Sequence, residues 1–262
     1  MGRWLEAVKQ APKRLLWLDD TEYCARLLAN GTAPWMDCGA WAGWRRSTLK
    51  LLQPDVAMLD LSAAAHAWAA ARLPAGSSGD VLAQVVCDKA FHEHAGELAD
   101  ALRAITKLPF VLMFSAPGRW LQLLSSRDAR GVDEDMLEDA AADVSQLLRA
   151  LSERPVDAVL LEEDSMEVSQ AVERLSCYGS IINVARHYRW DIGVHLPGGA
   201  PASHPKVDFF VAPADALGLS LEQGFWRDGS IPAVTPNPSF LFASIPAQEE
   251  PHRVLQRLAL LR

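Results

Sequence analysis

Asp55-Val-Ala-Met-Leu-Asp60 runs without a break into Leu61-Ser-Ala-Ala-Ala-His-Ala-Trp-Ala-Ala-Ala-Arg72. The first piece is short, apolar and closed by acids, the pattern of a fully buried strand. The second is alanine-rich and long enough for several helical turns. A strand passing directly into a helix is the repeating unit of a parallel α/β sheet. The same alternation extends in both directions. Further strands are expected at Ala33–Asp37, Val81–Val86, Pro109–Phe114, Val156–Glu162, Asp191–His195, Val207–Ala212 and Phe240–Ser244. Helical periods fill the gaps at Trp44–Leu52, Lys89–Lys107, Asp135–Ser152, Met166–Tyr188, Ala214–Gln223 and Gln248–Leu261. Val81–Val86 is the weakest strand, because VLAQVV also suits a helix.

Eight strands with intervening helices predict a (β/α)8 barrel of the TIM type. Such a barrel typically needs about 250 residues, and the chain has 262. Residues 1–32 read as a short N-terminal helical cap, carrying the extra apolar run Leu15–Leu18, and residues 33–262 as the barrel, all in one domain. An open doubly wound sheet is the alternative, but no Gly-rich turn follows an early strand. Gly76-Ser77-Ser78-Gly79 reads as a loop.

Half of the residues are hydrophobic and 22% are charged, which excludes a disordered or coiled-coil chain. The net charge of −8 argues against nucleic acid and against an anionic membrane surface. Cys24, Cys38, Cys87 and Cys177 stand far apart, with no CxxC pair, so neither a zinc cage nor a disulfide framework is expected. The N-terminus lacks the apolar core of a signal peptide. These features predict a soluble protein of the reducing cytoplasm, acting on a small molecule, and leave a homodimer open.

A barrel carries its chemistry at the C-terminal ends of its strands. Those ends supply Asp37 and Cys38, Asp60, Cys87 and Asp88, Ser115, Glu162 to Asp164, His195, Pro213 with Asp215, and Ser244. Converging acids suit proton transfer, but each could equally cap the helix that follows its strand. His195, between Ile192-Gly-Val and Leu196-Pro-Gly-Gly, faces the same choice between a structural and a catalytic role. His92-Glu93-His94 places its histidines on different faces of a helix, so no metal site is expected there. Trp35, Trp41 and Trp44, three of nine tryptophans, either line an aromatic pocket or pack the core.

The order of several segments resembles the uroporphyrinogen decarboxylase-like superfamily, which shares its barrel with cobalamin-independent methionine synthase and the corrinoid-linked methyltransferases. The similar pieces are Ala33-Pro-Trp-Met36, Asp55–Asp60, Leu102–Leu121, Val156–Ser165, and Phe240–Ser244 with the helix after it. The resemblance implies a cofactor-independent, decarboxylase-like lyase in which Asp60 and His195 are catalytic. From their places at or near the strand ends, Asp37, Trp41, Ser115, Arg119, Glu162 and Asp164 are expected to bind substrate. Three departures qualify this. Asp37-Cys-Gly-Ala-Trp41 stands where that family has an arginine-rich stretch, and Arg45 and Arg46 follow too late. Ser244 runs into Ile245-Pro246 with no glycine-histidine-glycine loop. His195-Leu-Pro197 lacks the cysteine of the methyltransferases' zinc motif. A polyanion with its carboxylates unpaired is costly to bind. The expected substrate is therefore small or less anionic than uroporphyrinogen; a methyltransferase and a non-catalytic binding homologue are the alternatives.

Overall fold

The computed structural model describes residues 3–73, 81–125, 132–164, 167–201, 203–232 and 238–262. Its strands are β1 (Leu15–Asp19), β2 (Ala57–Asp60), β3 (Phe110–Ser115), β4 (Ala158–Glu162), β5 (Asp191–His195), β6 (Phe209–Ala212), β7 (Gly218–Leu221) and β8 (Phe240–Ser244). The first helices are α1 (Arg3–Gln10), α2 (Thr21–Leu28), α3 (Cys38–Leu52), α4 (Leu61–Arg72), α5 (Val81–Val86) and α6 (Lys89–Ile105). After them come α7 (Pro117–Ser125), α8 (Glu134–Ala150), α9 (Val168–Cys177), α10 (Gly179–His187), α11 (Gln223–Asp228) and α12 (Pro251–Ala259).

All pairings are parallel, in the order β1-β8-β7-β6-β5-β4-β3-β2, so the sheet curls into a nearly closed (β/α)8 barrel. The seam between β1 and β2 is tied by Asp55. Its backbone N–H donates to the Leu16 carbonyl at 2.8 Å, and its carboxylate accepts the Leu16 N–H at 2.9 Å. No described helix is long and apolar enough to cross a membrane.

The eight strands differ from the expected set in two exchanges. Ala33–Asp37 is a turn, with Trp35 N–H bonded to the Ala33 carbonyl. Pro34 cannot donate to a ladder, and Asp37 is instead the N-cap of α3. Val81–Val86 is helix α5. In their place Leu15–Asp19 and Gly218–Leu221 are strands. The barrel therefore begins at Leu15 rather than Ala33, and only α1 caps it. Within the expected helix Ala214–Gln223, leucines at 217, 219 and 221 alternate with Gly218 and Ser220. That period of two belongs to a strand. Asp215 lies in the short β6–β7 connection at φ +54°, not in a helix. The Gly76–Gly79 loop lies outside the described residues.

Alternation along each strand sorts side chains into two cores. Residues such as Leu59, Leu112, Leu161 and Ile192 face the helices, while Met58, Val111, Met113, Ala158, Leu160 and Val211 fill the barrel. The lower interior is aromatic. Trp4 enters from α1 and sits 5.2 Å from Phe209, 5.7 Å from Phe240 and 5.7 Å from Trp17, ring to ring. Its helix is held in place by Asp191 at the start of β5, whose carboxylate accepts the Leu5 N–H at 3.0 Å. Two glycines make room for the rings. A Cβ on Gly193 would lie 2.2 Å from Phe209, and one on Gly218 would lie 2.3 Å from Phe240.

Gly193→Ala should therefore cost about 1–3 kcal/mol of unfolding free energy in urea titrations, the usual range for an overpacked core. Adding Phe209→Leu should recover part of that loss. A neutral Gly193→Ala would show that the ring has room to move.

Candidate active site

The inward-facing row of every strand but β6 ends, at the C-terminal side, on a polar residue: Asp19, Asp60, Ser115, Glu162, His195, Ser220 and Ser244. Beneath them the same rows are apolar, apart from Asp191 at the foot of β5. The barrel thus carries a polar rim over a largely apolar interior.

Glu162 is the hub of one side. Its Oε1 lies 3.6 Å from His195 Nδ1, and its Oε2 pairs with the Arg119 guanidinium. Arg119 also reaches Asp164, at 3.5 Å. Burial alone would raise the Glu162 pKa, but His195 and Arg119 outweigh it and hold the carboxyl below its ordinary range. The His195 ring packs 4.8 Å from Phe242, and its Nε2 hydrogen-bonds Ser220 Oγ at 3.1 Å. Arg119 is positioned from behind. The Gly118 N–H donates to Tyr178 Oη at 3.0 Å, and that hydroxyl donates to the buried Glu163, which also takes a bond from Arg174 at 3.2 Å.

Asp60 and Asp19 make up the other side. Asp60 Oδ1 accepts the N–H groups of Ser62 and Ala63, both at 2.9 Å, and so caps α4. Its Oδ2 has no hydrogen-bond partner among the described residues. Burial, then the nearby Asp19 and Glu162 charges, raise Asp60 to about 7 against the two amide bonds. Burial, Glu162 and Asp20 raise Asp19 to about 6. Asp19 Oδ2 accepts a bond from the Ser244 hydroxyl at 3.1 Å. Ser115 is tied to α4 through its own N–H, which donates to Ser62 Oγ at 2.7 Å.

The structure therefore gathers Asp60, His195, Ser115, Arg119, Glu162 and Asp164 at one rim. It removes two expected residues from it. Asp37 is an exposed cap whose carboxylate accepts the Ala40 N–H at 2.9 Å. Trp41 is only 1% exposed, packed in the outer core 5.7 Å from Trp35. The three clustered tryptophans are packing residues, as Trp44 also sits 6.4 Å from Trp35. Asp19 and Ser220 were not expected. Leu15-Leu-Trp-Leu-Asp19 has the same signature as Val56-Ala-Met-Leu-Asp60 and Ala158-Val-Leu-Leu-Glu162, an apolar run closed by an acid, and that repetition could have found it. Ser220 lay hidden in an assumed helix.

Two chemical properties follow. At neutral pH the rim holds a fixed anion, Glu162, beside carboxyls that exchange a proton in the same range; environments that separate acid from base in this way mark proton-transfer sites. Among the described residues the rim is also short of cations, with the Arg119 guanidinium set against the carboxyls of Asp19, Asp60, Glu162 and Asp164. Comparison with protein-family models and with curated proteins finds no match to this chain.

In an unfolded chain these carboxyls titrate near ~4. Folded Asp60, near 7, and Asp19, near 6, hold protons that the unfolded chain has released, so stability falls as pH rises through that window. Glu162 has the opposite sign, and its contribution is lost only below the ordinary carboxylate range. Asp60→Asn keeps the cap, since Asn caps about as well as Asp, and removes one titration. The wild-type melting temperature should drop more between pH 5 and pH 8 than that of Asp60→Asn. Parallel curves would show that Asp60 ionises like an exposed acid.

Proposed function

We propose that the barrel rim is the acid–base active site of a lyase, decarboxylase-like in its chemistry, acting on a small substrate far less anionic than uroporphyrinogen. The observation that supports this reading is the ring of polar strand ends over an apolar interior, with the Asp60 carboxyl raised and the Glu162 carboxyl lowered from the ordinary carboxylate range. Asp60 is the general acid. As a substrate C–C bond breaks and carbon dioxide leaves, the electron pair stays on the substrate carbon and takes the Asp60 proton. Water then returns a proton to the carboxylate. Glu162 orients His195 and balances its charge when it is protonated, so that His195 serves as a second proton-transfer group at the rim. Arg119 takes the substrate's acid group, and because two carboxylates already face it, a single acid group is the most it accommodates. The cation-poor rim prefers the remainder of the substrate uncharged or positively charged.

Thiol-based methyl transfer finds less support. None of the cysteines lies on a strand; Cys24 is on α2, Cys38 on α3, Cys87 beside α5 and Cys177 on α9. One observation favours a binding homologue without turnover: Asp60 already caps α4 and Arg119 is already ion-paired.

A thermal-shift panel of small monoacids, amines and amino acids, followed by mass-spectrometric assay of each hit for loss of carbon dioxide, separates the two. Turnover should fall by roughly 10²-fold or more in Asp60→Asn, the scale of losing one preorganised group. Reduced uroporphyrinogen should not be converted above background. Stabilising ligands with no turnover would establish the binding homologue, and hits indifferent to both Asp60→Asn and Glu162→Gln would move the site elsewhere.

A further inference from the structure

A second cluster of chemistry-bearing side chains lies outside the barrel, where α3 packs on α6. The Asp37 cap fixes Cys38 as the first residue of α3. His94 and Glu97 stand three residues apart on α6, so they share one face of that helix. Cys38 Sγ lies 3.7 Å from His94 Nδ1 and 3.5 Å from Glu97 Oε2, and the two α6 atoms are 4.0 Å apart.

The histidine is set up as a ligand. Its Nε2 lies 2.7 Å from the Trp35 carbonyl oxygen. A carbonyl only accepts, so Nε2 carries the proton and Nδ1 presents its lone pair toward the thiol. A backbone carbonyl bonded to the far nitrogen is the usual support that orients a metal-binding imidazole. The ring is 9% exposed and packs 5.1 Å from Trp68, so its direction is fixed. Zinc–sulfur and zinc–nitrogen bonds of about 2.3 and 2.0–2.1 Å in a tetrahedron set ligand atoms about 3.3–3.6 Å apart. The pairs involving Cys38 already approach that spacing. The wider Glu97 edge can close, because Glu97 is on the surface with its side chain 69% exposed.

We propose that Cys38, His94 and Glu97 form a three-ligand site for a divalent transition metal of the zinc class, with the fourth position open to solvent. A thiolate, an imidazole and a carboxylate together select such an ion over magnesium or calcium. The ion would clamp the first turn of α3 to α6. This site is separate from the rim and independent of the acid–base reading. It also revises the expectation drawn from His92-Glu93-His94: the two histidines do diverge, His92 reaching the Val86 carbonyl, but His94 finds its co-ligands on another helix and one turn further along its own.

Chelator-stripped, full-length protein titrated with Co²⁺ tests the site. One equivalent should produce a thiolate-to-cobalt charge-transfer band and tetrahedral ligand-field bands, and Zn²⁺ should displace both. Cys38→Ser should abolish the charge-transfer band and weaken Zn²⁺ binding, measured against a chromophoric chelator, by roughly 10²-fold. Glu97→Gln should keep the band and weaken binding by roughly 10-fold; loss of a direct ligand should cost at least the roughly 10–100-fold that loss of a ligand's supporting partner costs. Cys87→Ser, changing the exposed cysteine, should behave as wild type. Because Cys38 is only half-buried, the Cys38→Ser protein should fold, and its circular dichroism checks this. No band in the wild type, or a band that survives Cys38→Ser, would overturn the proposal.

Discussion

The interior of an eight-stranded barrel is just wide enough for side chains to fill, and everything above depends on how that filling is done. Here five aromatic rings, Trp4, Trp17, Phe209, Phe240 and Phe242, occupy the interior. Rings that large fit because Gly193 and Gly218 stand opposite Phe209 and Phe240. Trp4 arrives from α1 rather than from any strand, so the N-terminal helix is part of the barrel's packing. With the lower interior closed, the last inward position of each strand is free to be polar. Those positions need not supply core volume.

The same plug sets the electrostatics of the rim. A carboxyl placed directly over packed hydrocarbon loses hydration on one side, and its charged form is penalised. Asp19 and Asp60 show that penalty, and nearby charges add to it, Glu162 and Asp20 at Asp19, and Asp19 and Glu162 at Asp60. Glu162 meets the same burial but is shifted the other way, below the ordinary carboxylate range, because His195 and Arg119 flank it. Equivalent strand ends thus acquire different protonation states from their neighbours alone. Asp60 fills the capping role weighed for it from the sequence and still keeps an oxygen at the rim. One oxygen closes the first turn of α4 while the other stays outside the cap, and the amide bonds lower its pKa without cancelling the burial effect.

Much of this was legible in the sequence, and the reasons are local. Asp191–His195 and Phe240–Ser244 are apolar runs bounded by turn or cap residues, and both strands fall where that pattern puts them. Leu61–Arg72 also matches, since Asp60 announces its start. Two elements are not legible. The run Leu15–Leu18 reads as part of a cap because its strand partner, β8, lies at the far end of the chain, and pairing at such separation leaves no local trace. A short strand with glycine and serine inside, Gly218–Leu221, looked like a helix because its inward residues are small to admit Phe240 and to reach His195. The count of eight was right although two members were exchanged. At the rim, strand-end acids were legible, whereas Asp37 and Trp41 were lost with the false strand that placed them.

Arg45 shows how a departure from the resemblance acquires a structural reason. On α3 its guanidinium is 3% exposed and lies 2.5 Å from Asp20, itself 1% exposed, and it also donates to Thr48 at 2.9 Å. A pair buried this deeply gives back most of its attraction as lost hydration, so it is a weak argument for stability. Its consequence is positional. Asp20 follows Asp19 in the chain, so the pair stands immediately behind the rim, and the Asp20 charge is one of the influences that raise Asp19. Arg45 compensates Asp20 inside the protein and is therefore not available to a ligand in the mouth. The α3 cation is thus committed to a neighbouring aspartate, whereas Arg119 is half-buried at the rim with its charge offset by Glu162 and Asp164. Among the described residues, the local charge at the rim is thus set by where the arginines point as much as by their number.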